Sequence, residues 1–557
     1  MAYEDILAAV DAGRLMDSVR AICTGERLSN EAEVRAFDVL EKLFTDAGCR
    51  VTREALPGYV STPEGASFEV GGIAYEVLTH PMTPSADGLE ADLVYVPVDR
   101  TGSAPAEEVS GRIVLTDGLA MEPVVRALEG KGAAGVVFIT GEETHNMIVS
   151  RVWGSPTPET LGDYVGIPVA SLSFGDGSRI RGRLAEAGGR LPAKLSTRVC
   201  TRWTDIPVIA ADIPGPDEDF VMMTGHVDSW GLGALDNASG NACAVELARI
   251  FAPLAGRMRR GVRFVLWSGH SHGRYAGSTA YCDAHFEELQ QHCLLNVNAD
   301  CLGGRGATVM TESPAMASTR DLARTALREA AGVTDWRGCR YTRSCDQSFW
   351  GPGVPTVFSQ VSEQPPFKGA AADAFGKMFG NGRSGGFGAW WHTKSDTPDK
   401  LDPENLARDV RVFASVLAHV LLDEVFPVDA RAEVLELREQ IEDWQKKAGG
   451  ELDLSETIDR LGRLAEALDA ARRSDDPAAF ARRSHRVLND IIPLGYVEGS
   501  IFSHDEALRA PAVPMLRLID DLPSLPAHER NAALVKLRRA ANRLKIGAAR
   551  ALEEAQG

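Results

Sequence analysis

Three short runs, at 220–224, 262–267 and 294–299, are mostly apolar, and they constrain this chain more than any other feature. A strand with one face in water alternates apolar and polar residues. Strands this apolar are covered on both faces, as in a parallel or mixed α/β sheet. Helical stretches at 237–251, 278–289 and 318–331 fall between and after the runs, the alternation that such a sheet needs. In open α/β sheets the ligand lies beyond the carboxyl ends of the strands. Chemistry is therefore expected just after each run.

The 557 residues allow three to four domains at roughly 150 residues each, and four blocks can be read. In block 1–84, Asn30 and Glu33 form a capping pair ahead of an apolar helix face of Val34, Phe37, Leu40 and Phe44, ended by Gly48. A strand at 49–54 and a loop rich in Gly and Pro follow. Block 85–201 alternates strands at 91–98, 111–116, 134–140 and 166–172 with helices at 122–130 and 178–187. It holds no cluster of His, Asp or Ser and reads as a lid or recognition insert. Block 202–426 contains the apolar runs. Block 427–557 is helical: Val434, Leu437, Ile441 and Trp444 step by three and four, as do Leu454, Ile458, Leu461, Leu464 and Leu468.

Lys plus Arg number 59 against 78 Asp plus Glu, a formal charge of −19. A nucleic-acid binder needs a basic face, so no nucleic-acid partner is expected. No run of 18 apolar residues is present, so no membrane span is expected either. The first twenty residues are of mixed charge without a secretory h-region, and the nine cysteines are scattered and never spaced CxxC. Reduced thiols and a cytoplasmic location follow as expectations.

Imidazoles and carboxylates gather after the runs. His226 and Asp228 follow the first, Asp236 opens the next helix ten residues on, Asp300 ends the third, and His392 lies far downstream in Trp390-Trp391-His392-Thr393. Nitrogen and oxygen donors at several strand ends are the ligand set of a Zn²⁺ site. Asp236 can bridge two cations through its two oxygens, and Asp228 can orient the His226 imidazole from behind.

The segments His226-Val227-Asp228-Ser229 and Leu235-Asp236-Asn237-Ala238-Ser239-Gly240 resemble the metal-binding core of the zinc aminopeptidase family, which includes the glutamate carboxypeptidases and transferrin receptors. Asn298-Ala299-Asp300, Trp391-His392-Thr393 with Asp396-Thr397, and Asp346 with Gly353-Val354-Pro355 are similar to its later motifs. The resemblance implies an α/β, mixed-sheet catalytic domain (202–426, with 1–84 as its N-terminal part), a protease-associated insert (85–201) and a helical, dimerising C-terminal domain (427–557). It implies a dizinc site with His226 and Asp300 on one metal, His392 on the other and Asp236 between them, acting on a small peptide or amide in a homodimer.

The family's adjacent glutamates, one base and one ligand, are absent. Counting back from Gly277-Ser278 puts Ser271 at the base position and His272 at the ligand position; a one-residue insertion gives the ligand role to His270 instead. Imidazole is a good zinc ligand, whereas Ser271 is no base at neutral pH. His270 is then the leading proton carrier, and one zinc, two zincs or another divalent metal fit the donor set. Arg274, Tyr275 and Asp346 are candidates for substrate binding, and Phe349, Trp350, Trp390 and Trp391 for a pocket wall or core. Two rival readings remain. Gly269-His270-Ser271-His272-Gly273 spells the nucleophile elbow of a serine hydrolase, with Asp346 and His392 following in order. Loss of the glutamates also suits an inactive binding scaffold.

Overall fold

A computed structural model describes residues 3–99, 101–342, 345–379, 386–506 and 510–557. The apolar runs are three of its parallel strands. In chain order the strands are β1 (Arg50–Val70), β2 (Ile73–Tyr75), β3 (Leu78–Thr79), β4 (Ala86–Tyr95), β5 (Ile113–Asp117), β6 (Gly135–Ile139), β7 (Val169–Leu172), β8 (Leu191–Ile213), β9 (Phe220–His226), β10 (Gly261–Trp267), β11 (Cys293–Asn298) and β12 (Thr356–Val357). Among the described residues they form one sheet, ordered β12-β11-β9-β10-β8-β4-β5-β6-β7-β3. Strands β12, β11, β9 and β10 are mutually parallel, as are β4, β5, β6 and β7. The long β8 joins the two sets, pairing antiparallel with β4 through its first half and with β10 through its last.

Sequence reading underestimates one element. The expected strand at 49–54 is the start of the 21-residue β1, antiparallel to β8 along its whole length and bulged at Pro63/Gly65. Pro57, Gly58, Pro63 and Gly65 read locally as loop, but a long partner supplies the ladder that propensity withholds.

Helices Ala12–Ile22, Glu31–Asp46, Ser239–Phe251 and Pro403–Leu422 contribute to the core beside β9 and β10. Phe44 lies fully buried with its ring 5.7 Å from that of Phe264, a burial that stabilises by about 1.5–3 kcal/mol per phenylalanine. Asn30 caps the 31–46 helix by accepting the Glu33 N–H at 3.1 Å. Phe37, Leu40 and Phe44 of its expected face are fully buried; Val34 at the edge is 50% exposed, while Glu33 is buried and accepts the Ser268 hydroxyl proton. The C-terminal region packs helices Ala430–Ala448, Ser455–Ser474, Pro477–Tyr496 and Ala527–Gln556, with Val434, Leu437, Ile441, Leu461, Leu464 and Leu468 buried. No helix of the described residues is long and apolar enough to cross a membrane.

Candidate metal centre

His226 is the last residue of β9. Its Nδ1–H donates to the Asp228 carbonyl at 2.9 Å, so its Nε2 carries a bare lone pair. That lone pair faces Asp236 Oδ1 at 3.1 Å and Asp300 Oδ1 at 3.6 Å. His392 repeats the pattern: Nδ1–H donates to Asn146 O at 2.8 Å and Nε2 faces Asp236 Oδ2 at 3.1 Å. A lone pair set against carboxylate oxygens is repulsive unless a cation or a proton lies between them. His226 Nε2, Asp236 Oδ1 and Asp300 Oδ1 are buried and have no hydrogen-bond donor among the described residues. Tetrahedral zinc ligands at 2.0–2.2 Å stand about 3.4 Å apart, so the residues present fit a divalent ion. Burial alone would lower the pKa of His226, but the Asp236 and Asp300 carboxylates raise it well above its ordinary value. The site thus attracts positive charge in any form.

The turn carrying Asp236 is shaped from outside. A π-helical turn, Ala234–Ala238, precedes the 239–251 helix, and Asp236 sits in it at φ −117°, ψ 88°. The buried Asp396 carboxylate accepts the Leu235 and Asp236 N–H groups at 2.8 and 3.0 Å; burial pushes its own pKa up to about 7. Arg27, fully buried, donates to the carbonyls of Val227 (2.6 Å), Leu232 (2.7 Å) and Gly233 (3.2 Å), tying down the loop between His226 and Asp236. Cys301, beside Asp236 and Asp300, has its thiol pKa pushed well up by burial and those carboxylates. Sequence reasoning assigned no role to Arg27, Asp396 or Cys301; only Asp396 carried a signal, its place in the His392 motif.

Asp228 lies behind the site, but not as expected. Its carboxylate stands 3.8 Å from His226 Nδ1, and the backbone carbonyl does the orienting. The carboxylate instead accepts the N–H of His270 (3.1 Å), the N–H of Ser271 (2.6 Å) and His272 Nδ1–H (3.2 Å). Burial works against that charge, yet the His272 hydrogen bond and the surrounding imidazoles hold its pKa far below the carboxylate range. His272 is spent there: its Nε2 accepts the Ser29 hydroxyl at 2.7 Å, and the ring is fully buried away from the donor group. Of the two histidines open for the ligand position, His270 is the one that meets the donor group. Its ring stacks on that of His226 with centroids 3.7 Å apart, it groups with His226 and Asp300, and its Nδ1–H donates to Asp346 Oδ2 at 2.7 Å. The Ser271 hydroxyl is buried without a partner among the described residues, so the serine–imidazole hydrogen bond of a nucleophile elbow is absent there.

A segment between β6 and β7 lies along the site. Asn146 exchanges hydrogen bonds with His392, Trp153 lies 4.0 Å from the Tyr275 ring, and the Gly154 N–H donates to the Arg274 carbonyl at 2.6 Å. Tyr275 in turn meets His270 edge-on at 4.8 Å. Ser29, Arg274, Tyr275, Cys301, Asp346 and His392 all adopt positive φ between 49° and 72°. Each costs roughly 1–2 kcal/mol, and such strain gathers at functional sites. The four aromatics do not form one wall. Phe349 packs on Trp267 in the core, Trp350 on Tyr496, and Trp391 on His392 at 3.6 Å. Of the Gly-rich stretch 369–388, residues 370–379 are helix and 380–385 lie outside the described residues.

The profile of Peptidase family M28 matches residues 208–417, a span that holds all four donors. Residues 208–417 are thus similar to that family's peptidase domain. The chain is similar to aminopeptidase YwaD of Bacillus subtilis (strain 168), 22% identical over 389 residues, or 68% of this chain and 73% of that protein. Carboxypeptidase Q of Rattus norvegicus is 30% identical over 134 residues, or 23% of this chain and 28% of that protein. The solved zinc aminopeptidase BSAP from Bacillus subtilis superposes with a TM-score of 0.56 at 18% identity, over 74% of this chain and 96% of its own. At that identity the likeness establishes the fold.

Proposed function

We propose that this chain is a zinc-dependent peptidase that cleaves a peptide or other amide bond in a small substrate. The observation that carries the reading is the pair of imidazole lone pairs, His226 Nε2 and His392 Nε2, held against the two oxygens of Asp236 at 3.1 Å each. Zinc bound between them supplies a Lewis acid that polarises a carbonyl and brings the pKa of water to about 7. His226, Asp236 Oδ1 and Asp300 would hold one ion, with His270 in reach. The other side of Asp236 offers Oδ2 and His392, a poorer set, so one tightly held ion is expected. His270 takes the place of the missing base: Asp346 on Nδ1 fixes the tautomer that leaves Nε2 free to accept a proton and return it to the leaving amine. The contacts of Asn146 and Trp153 with the site support reading 85–201 as a recognition insert. The family resemblance carries self-association through 427–557, which sedimentation of the purified chain measures.

Metal analysis tests the reading. One zinc per chain should survive dialysis, Asp236→Ala should abolish it, and Ser271→Ala should leave both zinc and peptide hydrolysis intact. A metal-free, chelator-insensitive enzyme blocked by phosphonates would establish the serine alternative. Bound zinc without turnover of any peptide or amide in a broad panel would establish the scaffold.

A further inference from the structure

We propose that Arg274 is a receptor for a carboxylate on the substrate; the inference rests on the peptidase reading and names the substrate class it implies. Several buried or half-buried arginines elsewhere in this fold are answered. Arg27 spends its donors on carbonyls, Arg263 meets Asp212 at 2.8 Å and Glu288 at 2.9 Å, and Arg408 meets Asp409 at 2.7 Å. The Arg274 guanidinium, half-buried, has no carboxylate or carbonyl partner among the described residues, and its Nε is shut off from solvent with nothing to donate to. The Tyr275 ring lies 5.4 Å from the guanidinium carbon. An unanswered, partly desolvated guanidinium is costly, and in a chain of net charge −19 a carboxylate partner would be easy to supply.

The setting holds it ready. Arg274 and Tyr275 are consecutive left-handed residues, at φ 49° and 72°. The Arg274 carbonyl is pinned by the Gly154 N–H, and Trp153 covers the Tyr275 ring. Tyr275 also touches His270, which stacks on His226, so the cation lies one aromatic ring from the donor group. Asp346, which accepts His270 Nδ1–H through Oδ2, makes no ion pair with Arg274 among the described residues. The planar fork of a guanidinium suits a carboxylate in a bidentate pair. A small peptide whose α-carboxylate or acidic side chain lies beyond the scissile bond supplies that partner.

The test uses calorimetric binding to the metal-free protein, with N-acetylalanine against its amide for the α-carboxylate, and N-acetylglutamic acid α-amide against N-acetylglutamine α-amide for the side chain. The acid of at least one pair should bind roughly 10- to 150-fold more tightly, the range of a hydrogen bond to a charged group. Arg274→Gln should erase that preference, and Arg274→Lys should keep part of it. Arg274→Gln should melt no lower than wild type, because it removes an unpaired charge; a lower melting temperature would mark a structural arginine and overturn the proposal. So would a preference that survives in Arg274→Gln, or none in either pair. Zinc-dependent cleavage of neutral peptides without any charge preference would sink this proposal and leave the peptidase reading standing. Arg274-dependent binding of the acid by a chain that holds no zinc would do the reverse.

Discussion

Asp228→Asn is the sharpest perturbation of this site, because it separates two jobs done by one residue. The Asp228 backbone carbonyl accepts His226 Nδ1–H, while the side chain alone holds the N–H groups of His270 and Ser271 and the His272 ring. An asparagine oxygen can keep two of those three bonds; its NH₂ must then face the third donor. One buried donor left unpaired costs about 1–3 kcal/mol, and two bonds losing charge assistance cost about 1 kcal/mol each. Relief of the buried charge offsets part of this, leaving about 2–4 kcal/mol. At 1.4 kcal/mol per factor of ten, amide exchange in a peptide spanning 268–273 should accelerate roughly 30- to 700-fold, read by hydrogen exchange with mass spectrometry. Local exchange is the right observable, since a chain of several packed regions need not unfold in two states. Zinc stoichiometry should be unchanged, and turnover should fall as His270 loosens. Exchange altered less than about fivefold, or zinc lost from a folded protein, would refute the division of labour.

Two further outcomes follow from packing and burial. Gly277→Ala puts a Cβ 2.0 Å from the Ser268 carbonyl and 2.7 Å from Trp267 Cβ, so the 268–272 turn must move, at a cost of about 1–3 kcal/mol or more; peptide hydrolysis should collapse while zinc stays bound, and wild-type turnover would contradict it. His80 is wholly buried, and burial lowers its pKa from 6.5 to about 4. Between those values the unfolded chain binds the extra proton, so stability is whole above pH 6.5 and falls as pH drops toward 4, by about 3 kcal/mol in all. Urea midpoints of His80→Gln should show a shallower acid limb than wild type; parallel limbs would exclude His80 as the cause.

Much of the fold was legible because burial on both faces leaves a local mark. Strands β9, β10 and β11 announce themselves as apolar runs, and the last helices as three-and-four stepping. The β1–β8 ribbon left no such mark, since Pro57, Gly58 and Pro63 are extended only by virtue of a partner more than a hundred residues away. On the 31–46 helix Phe37, Leu40 and Phe44 are buried as expected; the burial of Glu33 was not legible, because its partner Ser268 lies 235 residues away. At the site, donor types at strand ends were visible. The choice between His270 and His272 was not, because it depends on which ring the Asp228 carboxylate captures.

Residue type and spacing alone determined that this chain builds a mixed α/β sheet and brings histidine and aspartate to its strand ends, because burial and side-chain chemistry are local properties. Tertiary structure alone decided which nitrogen is left with a bare lone pair, which histidine is spent on Ser29, and that the Arg274 guanidinium meets no carboxylate among the described residues. Those outcomes depend on hydrogen bonds between segments far apart in the chain, and no window of sequence contains both ends of them.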